Sequence, residues 1–415
     1  MINEKVVKNT VWNSIGFIGY FACQWLVSIV VVRLSDDYTN AGNLALAMNI
    51  SNILFVLAAY NNRYFQVSDI KGEYNDSEYL VSRILTCAAA VLICTIFIFI
   101  EDFSAKQRAI ILCYMIFRAN EAFVDVFYGI EQKNWRMDYI GISMVLRGAA
   151  MLAAFALLIW LYDLLTAVIG VTVLTFLILF LFDIQKAKKL AKFTTYVWKK
   201  VFSLLKRCFP LMLVLLISTV IVSYARYLIE RIHGTEALGI YTAAINPTML
   251  IQVSASLLFA PLINLLAESL KEFDRKKFLK IFTVTFAAIA GITIVFTAGS
   301  LILGEWVLNI LFGETILPHA YLMTGASVAA GLTSLMWFMN VVFSALRDIK
   351  GIFVCNLIGM MICFAAAERF LTIYGITGAN YVMIISQGVA VLCVLVRLFW
   401  VIKRKPGLFM GESEG

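Results

Sequence analysis

The sequence predicts an all-α integral membrane protein of twelve transmembrane helices in two six-helix halves. Composition is the first reason. The chain is 62% hydrophobic and 14% charged, with a mean hydropathy of +0.88, whereas soluble domains sit near about half apolar and about a quarter charged. The second reason is that apolar runs of about 20 residues, each long enough to cross roughly 30 Å of hydrocarbon, recur along the whole chain. The third is the alternation of basic residues between successive connections. No segment outside the apolar runs is long enough to bury a core of its own, and so no separate catalytic domain is expected.

The first six spans fall near 11–32, 42–62, 80–100, 108–130, 139–161 and 164–183. The remaining six fall near 209–229, 240–264, 281–303, 320–345, 352–371 and 378–402. Only "YD" at 162–163 separates spans five and six. The polar start, "MINEKVVKNT", enters span one without a small-residue cleavage site, so no removable signal peptide is expected. The eight cysteines lie in or beside apolar spans and form no CxxC, the pattern of small packing residues.

Placing the N-terminus in the cytoplasm puts 24 Lys and Arg residues in cytoplasmic connections, against five (Arg33, Lys106, Arg108, Arg231 and Arg369) on the other side. That imbalance orients the chain with both termini inside. The net charge of +8 then reflects topology and anionic lipid, not a nucleic-acid partner. The basic stretch "DIQKAKKLAKFTTYVWKKVFSLLKR" (183–207) divides the chain. A first lobe is expected over 1–183, a cytoplasmic connector over 184–208, a second lobe over 209–402 and a cytoplasmic tail over 403–415. The connector reads either as a plain basic linker or as a lipid-binding amphipathic helix with Trp198, Phe202 and Leu205 on one face. The halves start on the same side, as parallel repeats do. "AGNLALAMNIS" (41–51) and "LGIYTAAINPT" (238–248) open spans two and eight and share Gly42/Gly239, Ala47/Ala244 and Asn49/Asn246.

Ionisable residues inside spans are costly and mark functional sites by default. Arg33, Arg83 and Arg397 lie near span ends, where snorkelling can satisfy them. "FRANEAFVD" (117–125) places Arg118, Glu121 and Asp125 deep in span four, with Arg118 and Asp125 nearly on one face. One acid can pair with Arg118. The second then stands one turn from a like charge, which would suit proton exchange. A closed interhelical Arg–Glu clamp is the alternative. Arg147 in span five could line the same cavity. Neutral polar groups (Asn49, Asn52, Asn246, Gln252 and Asn340) are candidate cavity residues or helix-packing contacts. Pro247 and Pro261 interrupt span eight, as a static kink or a hinge. His233 and His319 lie apart, without a metal-ligand pattern, and there is no Walker A sequence or GxSxG.

"VWNSIGFIGYFACQWLVSIVVVRL" (11–34) and "AGNLALAMNISNILFVLAAYNNRYFQVSD" (41–69) resemble the N-terminal half of Wzx-type polysaccharide repeat-unit flippases. "RYLIE" with "LGIY" and Pro247, "LFGETI" and "FSALRDIKG" extend the likeness over nearly the whole chain. These flippases belong to the multidrug/oligosaccharidyl-lipid/polysaccharide exporter superfamily. The resemblance implies two six-helix lobes around a central cavity that opens alternately to either side. It implies a non-enzymatic flippase of a bacterial plasma membrane, moving undecaprenyl-diphosphate-linked oligosaccharide outward for capsule, O-antigen or exopolysaccharide assembly. The partners implied are the lipid-linked cargo, membrane lipid, and polysaccharide polymerase and chain-length proteins. No cofactor is implied beyond H⁺ or Na⁺ as coupling ion. Arg118, Arg147 and Arg63 would meet the anionic cargo. Glu121, Asp125 and Asp69 are the candidates for ion coupling, with Arg63 and Asp69 at the cargo entrance or merely in a structured turn. A cation-coupled multidrug exporter of the same superfamily is the rival reading, and a membrane-embedded polysaccharide-assembly enzyme a more distant one.

Overall fold

The computed structural model describes residues 4–69, 71–271 and 274–404. The tail from 405 onward and the side chain of Pro261 lie outside the described residues. The chain divides into two compact units, Met1–Thr219 and Val220–Gly415. Among the described residues, the regular structure of both is helical.

The first unit comprises α1 (Glu4–Arg33), α2 (Thr39–Ala59), α3 (Asn62–Ser68), α4 (Asp76–Ile100), α5 (Ala105–Lys133) and α6 (Met137–Leu161). It continues with α7 (Leu164–Ile178), a π turn (Leu179–Asp183), α8 (Ile184–Lys188) and the start of α9 (Trp198–His233). The expected break at 162–163 is real: the Asp163 side chain accepts the Thr166 N–H at 3.0 Å and caps α7. α1 lies against α6 through glycines. A Cβ on Gly16 would stand 2.5 Å from the Gly141 Cα, so only glycine permits this approach.

Span two is not one straight helix. Tyr60 and Asn61 both take left-handed backbone (φ 48 and 52), ending α2 and restarting the chain as α3. Neither residue is glycine, so the turn is a strained one held by its surroundings.

The connector is not a helix along its length. Residues 191–197 have no regular structure, and helix resumes only at Trp198. The first turn of α4 supplies the reason. The N–H groups of Lys192, Thr194 and Val197 donate to Asp76 Oδ2 (2.9 Å), Ser77 Oγ (3.0 Å) and Glu78 Oε1 (3.3 Å). These polar side chains give the backbone partners that a helix would otherwise provide. The connector is thereby strapped to the first unit, and the division between units falls beyond it, inside α9.

The second unit holds the rest of α9, α10 (Thr235–Ile245), α11 (Met249–Lys271), α12 (Arg275–Phe312), α13 (Tyr321–Ala345), α14 (Ile349–Tyr374) and α15 (Gly378–Arg404). A 3-10 turn at Asn246–Thr248, with Pro247 in its first turn, separates α10 from α11. Span eight is therefore two helices, as the missing proline N–H favours. α13 is the most enclosed helix of this unit and packs on α11, α12 and α15.

Among the described residues, nine helical stretches are long and apolar enough to cross a membrane. One of them, Ile349–Lys403, contains both α14 and α15. α5 is missed because Arg118, Glu121 and Asp125 interrupt it. With α5 and the α10–α11 pair included, the segments are the expected twelve, six in each half of the chain.

Candidate functional site

A cavity of about 350 Å³ lies within the first unit. Phe17, Tyr20, Phe21 and Gln24 line it from α1, and Phe55 and Ala59 from α2. Arg63 enters from α3, and Met144 and Arg147 from α6. α5 contributes Arg118, Glu121, Val124, Asp125 and Tyr128. The fold thus brings together five of the six charged residues singled out from the sequence. α5 can do this because 118, 121, 125, 128 and 132 follow one another at spacings of three and four, one stripe of a helix.

The two acids of the stripe have different partners. Arg118 pairs with Glu121 alone, one turn away, and its guanidinium carbon lies 3.9 Å from the centroid of the Phe55 ring. Glu121 also accepts from the Tyr20 hydroxyl and from Gln24 Nε2 at 3.3 Å. Asp125 does not meet Arg118. Its Oδ1 accepts from Arg63 Nη1 at 3.0 Å and its Oδ2 from Arg83 Nη2 at 3.1 Å.

Arg83 is the largest departure. Far from snorkelling, its side chain is 0% exposed. The broken end of α2 explains this. Where Tyr60 and Asn61 turn left-handed, the last carbonyls of α2 lose their helical donors. Arg83 Nη1 donates to Ala58 O (3.1 Å) and to Ala59 O, and Thr86 Oγ1 donates to Ala58 O at 2.8 Å. Arg83 therefore caps the break and holds Asp125, which in turn holds Arg63.

Arg147 is also less available than its depth implied. It is 3% exposed, and its Nη2 donates to Asp183 Oδ2 at 2.6 Å and its Nη1 to Asn120 Oδ1 at 3.2 Å. Ser143 Oγ donates to the other Asp183 oxygen at 2.5 Å. Asp183, 1% exposed, ends the π turn. In the sequence it stands at the edge of span six, and its one signal is an acid directly after the apolar run "LILFLF".

Asp69 does not line the cavity. It accepts the Glu73 and Tyr74 N–H groups at 2.9 and 3.0 Å and the Tyr79 hydroxyl at 3.2 Å, building the turn between α3 and α4. Partial burial would raise its carboxyl pKa, but the two backbone donors, with the nearby Lys133 charge, outweigh burial and lower it. Asn49 is buried on α2 and Asn52 half-buried. Asn246, Gln252 and Asn340 belong to the second unit, where Asn340 Oδ1 accepts from Asn356 Nδ2 at 3.3 Å. None of these five lines the first-unit cavity.

The helices and cavity define a multi-pass membrane protein with a transporter fold. The Vibrio cholerae MATE transporter VcmN, in a mutant form, superposes with a TM-score of 0.68 at 13% identity, over 98% of each chain. An inward-facing MATE family transporter of the MOP superfamily superposes with a TM-score of 0.72 at 15% identity, over 95% of this chain and 96% of that one. Residues 6–264 match the family described as Polysaccharide biosynthesis protein, and this chain belongs to that family. The Staphylococcus aureus capsular polysaccharide biosynthesis protein CapF is 25% identical over 320 residues, 74% of this chain and 78% of that protein. The resemblance to Wzx-type members of the exporter superfamily, drawn from the sequence, agrees with both findings.

Proposed function

We propose that the protein flips lipid-diphosphate-linked oligosaccharide repeat units from the cytoplasmic to the outer leaflet of a bacterial plasma membrane, by alternating access. The observation that carries this reading is the charge of the first-unit cavity and its immediate surround. Arg63, Arg118 and Arg147 line the cavity against two carboxylates, Glu121 and Asp125, while Arg83, Asp183 and Glu131 lie in the surround. Such a cavity suits a diphosphate, which a guanidinium can grip with two parallel bonds. Phe17, Tyr20, Phe21 and Phe55 supply ring faces against which sugars can lie. Glu121, held by Arg118, Tyr20 and Gln24, is the candidate for H⁺ coupling. A cation exporter would need the opposite sign in this cavity, which disfavours the multidrug alternative.

The test is reconstitution of the full chain in liposomes that carry lipid-diphosphate-linked oligosaccharide in one leaflet. Protein-dependent movement of the sugar to the other leaflet is expected. Arg118→Gln should lose most of it at equal protein abundance, while Arg118→Lys, which keeps the charge but not the planar fork, should keep part. Liposomes that move a cationic dye and leave the oligosaccharide lipid in place would overturn the proposal.

A further inference from the structure

Arg63 is the one arginine lining the cavity that shares its paired carboxylate with a second arginine. Glu121 pairs with Arg118 and Asp183 with Arg147. Asp125 is shared between Arg63 and Arg83, and the two are not equivalent. The Arg83 side chain is 0% exposed, that of Arg63 27% and that of Asp125 26%. Of the three, Arg63 and Asp125 are therefore the ones that a ligand can reach. Yet every nitrogen of that guanidinium is occupied. Nη1 donates to Asp125 Oδ1 at 3.0 Å, and Nε and Nη2 donate to Gln132 Oε1 at 3.2 and 2.9 Å.

We propose that Asp125 and Gln132 are resident stand-ins for an anionic ligand: they hold the donors of Arg63 that an incoming phosphate group takes over. The proposal rests on the reading above that the cargo enters this cavity by an anionic head. Its energetics follow from the connectivity. When a phosphate takes Arg63, Asp125 gives up one contact and keeps the other, so Arg83 and Asp125 remain a neutral pair. No buried charge is orphaned, which would otherwise make the exchange prohibitive. The ligand then takes the place of Asp125 beside Arg63, so that the arginine keeps an anionic partner. A phosphate can address Nη1 and Nη2 together, where Asp125 addresses Nη1 alone. Tyr128, whose ring centroid is 5.7 Å from the Arg63 guanidinium, keeps the fork facing this seat. Asp125 and Gln132 thus set the affinity threshold. Weak single anions do not displace them, and a diphosphate does.

The probe is inorganic pyrophosphate, titrated against the purified full chain in nanodiscs, with glucuronate as a carboxylate control. Asp125→Asn should bind pyrophosphate about tenfold more tightly than the unaltered chain, the equivalent of about 1.4 kcal/mol of relieved competition. Gln132→Met, which removes an acceptor from Arg63 without changing any charge, should tighten binding in the same direction. It thereby separates displacement from a general gain of positive potential, and it decides the matter alone if Asp125→Asn fails to accumulate. Equal or weaker binding by Gln132→Met overturns the proposal. Preference for glucuronate over pyrophosphate would also overturn it, because the seat would then be built for a carboxylate. Arg63→Gln should abolish the binding. If it does so while Gln132→Met shows no tightening, the anion-binding reading stands and only the stand-in role falls. If Arg63→Gln binds pyrophosphate as well as the unaltered chain, both fall.

Discussion

α5 and α13 hold the same place in their halves, the fourth span of six, and their interiors are built differently. α13 contains no Asp, Glu, Lys or Arg. Its buried hydroxyls at Ser327, Thr333 and Ser334 donate to carbonyls one turn back, at Met323, Ala329 and Ala330. Such a helix satisfies its own polar groups and can pack on its neighbours by shape alone. α5 carries Arg118, Glu121 and Asp125 in its interior; Glu121 pairs with Arg118 within the helix but takes further donors from outside it, and Asp125 is held by arginines of other segments. Tyr20 and Gln24 come from α1, Arg63 from α3 and Arg83 from α4. The first unit thus concentrates charge on a stripe that needs three other segments to hold it. That is a costly arrangement in a membrane, and it is where ligand chemistry is expected.

The sharpest way to break this contrast is Arg83→Met. It removes the donor to the Ala58 and Ala59 carbonyls and one of the two partners of Asp125. Breaking a buried ion pair from one side costs about 3–5 kcal/mol, so the variant should be scarce in the membrane, with a sharply lowered thermal midpoint in detergent. Asn340→Leu on α13 breaks the Asn340–Asn356 bond and should cost about 0.6 kcal/mol, the average for such contacts in membranes. Equal stability of the two variants would show that the α2 break does not depend on Arg83.

A smaller effect is expected where Arg147 meets Asp183. Both are almost wholly buried, at 4% and 1% side-chain exposure. Arg147→Met and Asp183→Leu should each cost about 3 kcal/mol by leaving a lone charge. The double variant should cost less than the sum, with a coupling of about 1–3 kcal/mol in a double-mutant cycle of thermal midpoints. The second unit supplies the contrast. Arg397 and Asp348 join by two bonds, but the arginine side chain is 34% exposed. Its coupling should be about 1 kcal/mol or lower, as for ion pairs within reach of water. Additive effects at Arg147 and Asp183 would mean that Arg147 is free to serve the cavity as depth alone implied.

These variants also mark the limit of what the sequence discloses. The twelve spans were legible because hydropathy and basic residues act over whole segments, and averaging over 20 residues suppresses local noise. The α5 stripe was legible because helical spacing alone puts 118, 121 and 125 close together in angle. Partner choice was not legible. Asp125 meets Arg63 and Arg83 because the chain turns left-handed at Tyr60 and Asn61, and "AAYNNR" contains no glycine to announce such a turn. Arg83, counted from the end of its span, looked free to snorkel. Its depth follows from where α2 ends, not from where α4 begins. Asp183 was hidden for a related reason: a π turn carries it inward at a point where a regular helix and a polar connector predict an outward residue.

The smallest effect concerns the turns that lead out of the membrane in each half. Asp69 closes the α3–α4 turn by accepting two backbone N–H groups, and Asp348 caps α14 through the Gly351 N–H at 3.3 Å while pairing with Arg397. Asp69→Asn should therefore cost about 1 kcal/mol or less, since a neutral amide can still accept one of the bonds and the turn is reached by water. Its pH dependence has a definite sign. The folded-state pKa of Asp69 is lowered from 3.8, so its charge contributes stability above that value. The contribution is lost as pH falls through the lowered folded value. The gap in thermal midpoint between the unaltered chain and Asp69→Asn should then be constant from neutral pH down to about 5, and close on further acidification. Asp348→Asn, which also abandons an arginine, should be the more damaging of the two at neutral pH. A gap at Asp69 that widens in acid would show that the carboxyl is held protonated, and that the backbone donors of this turn do not outweigh its burial.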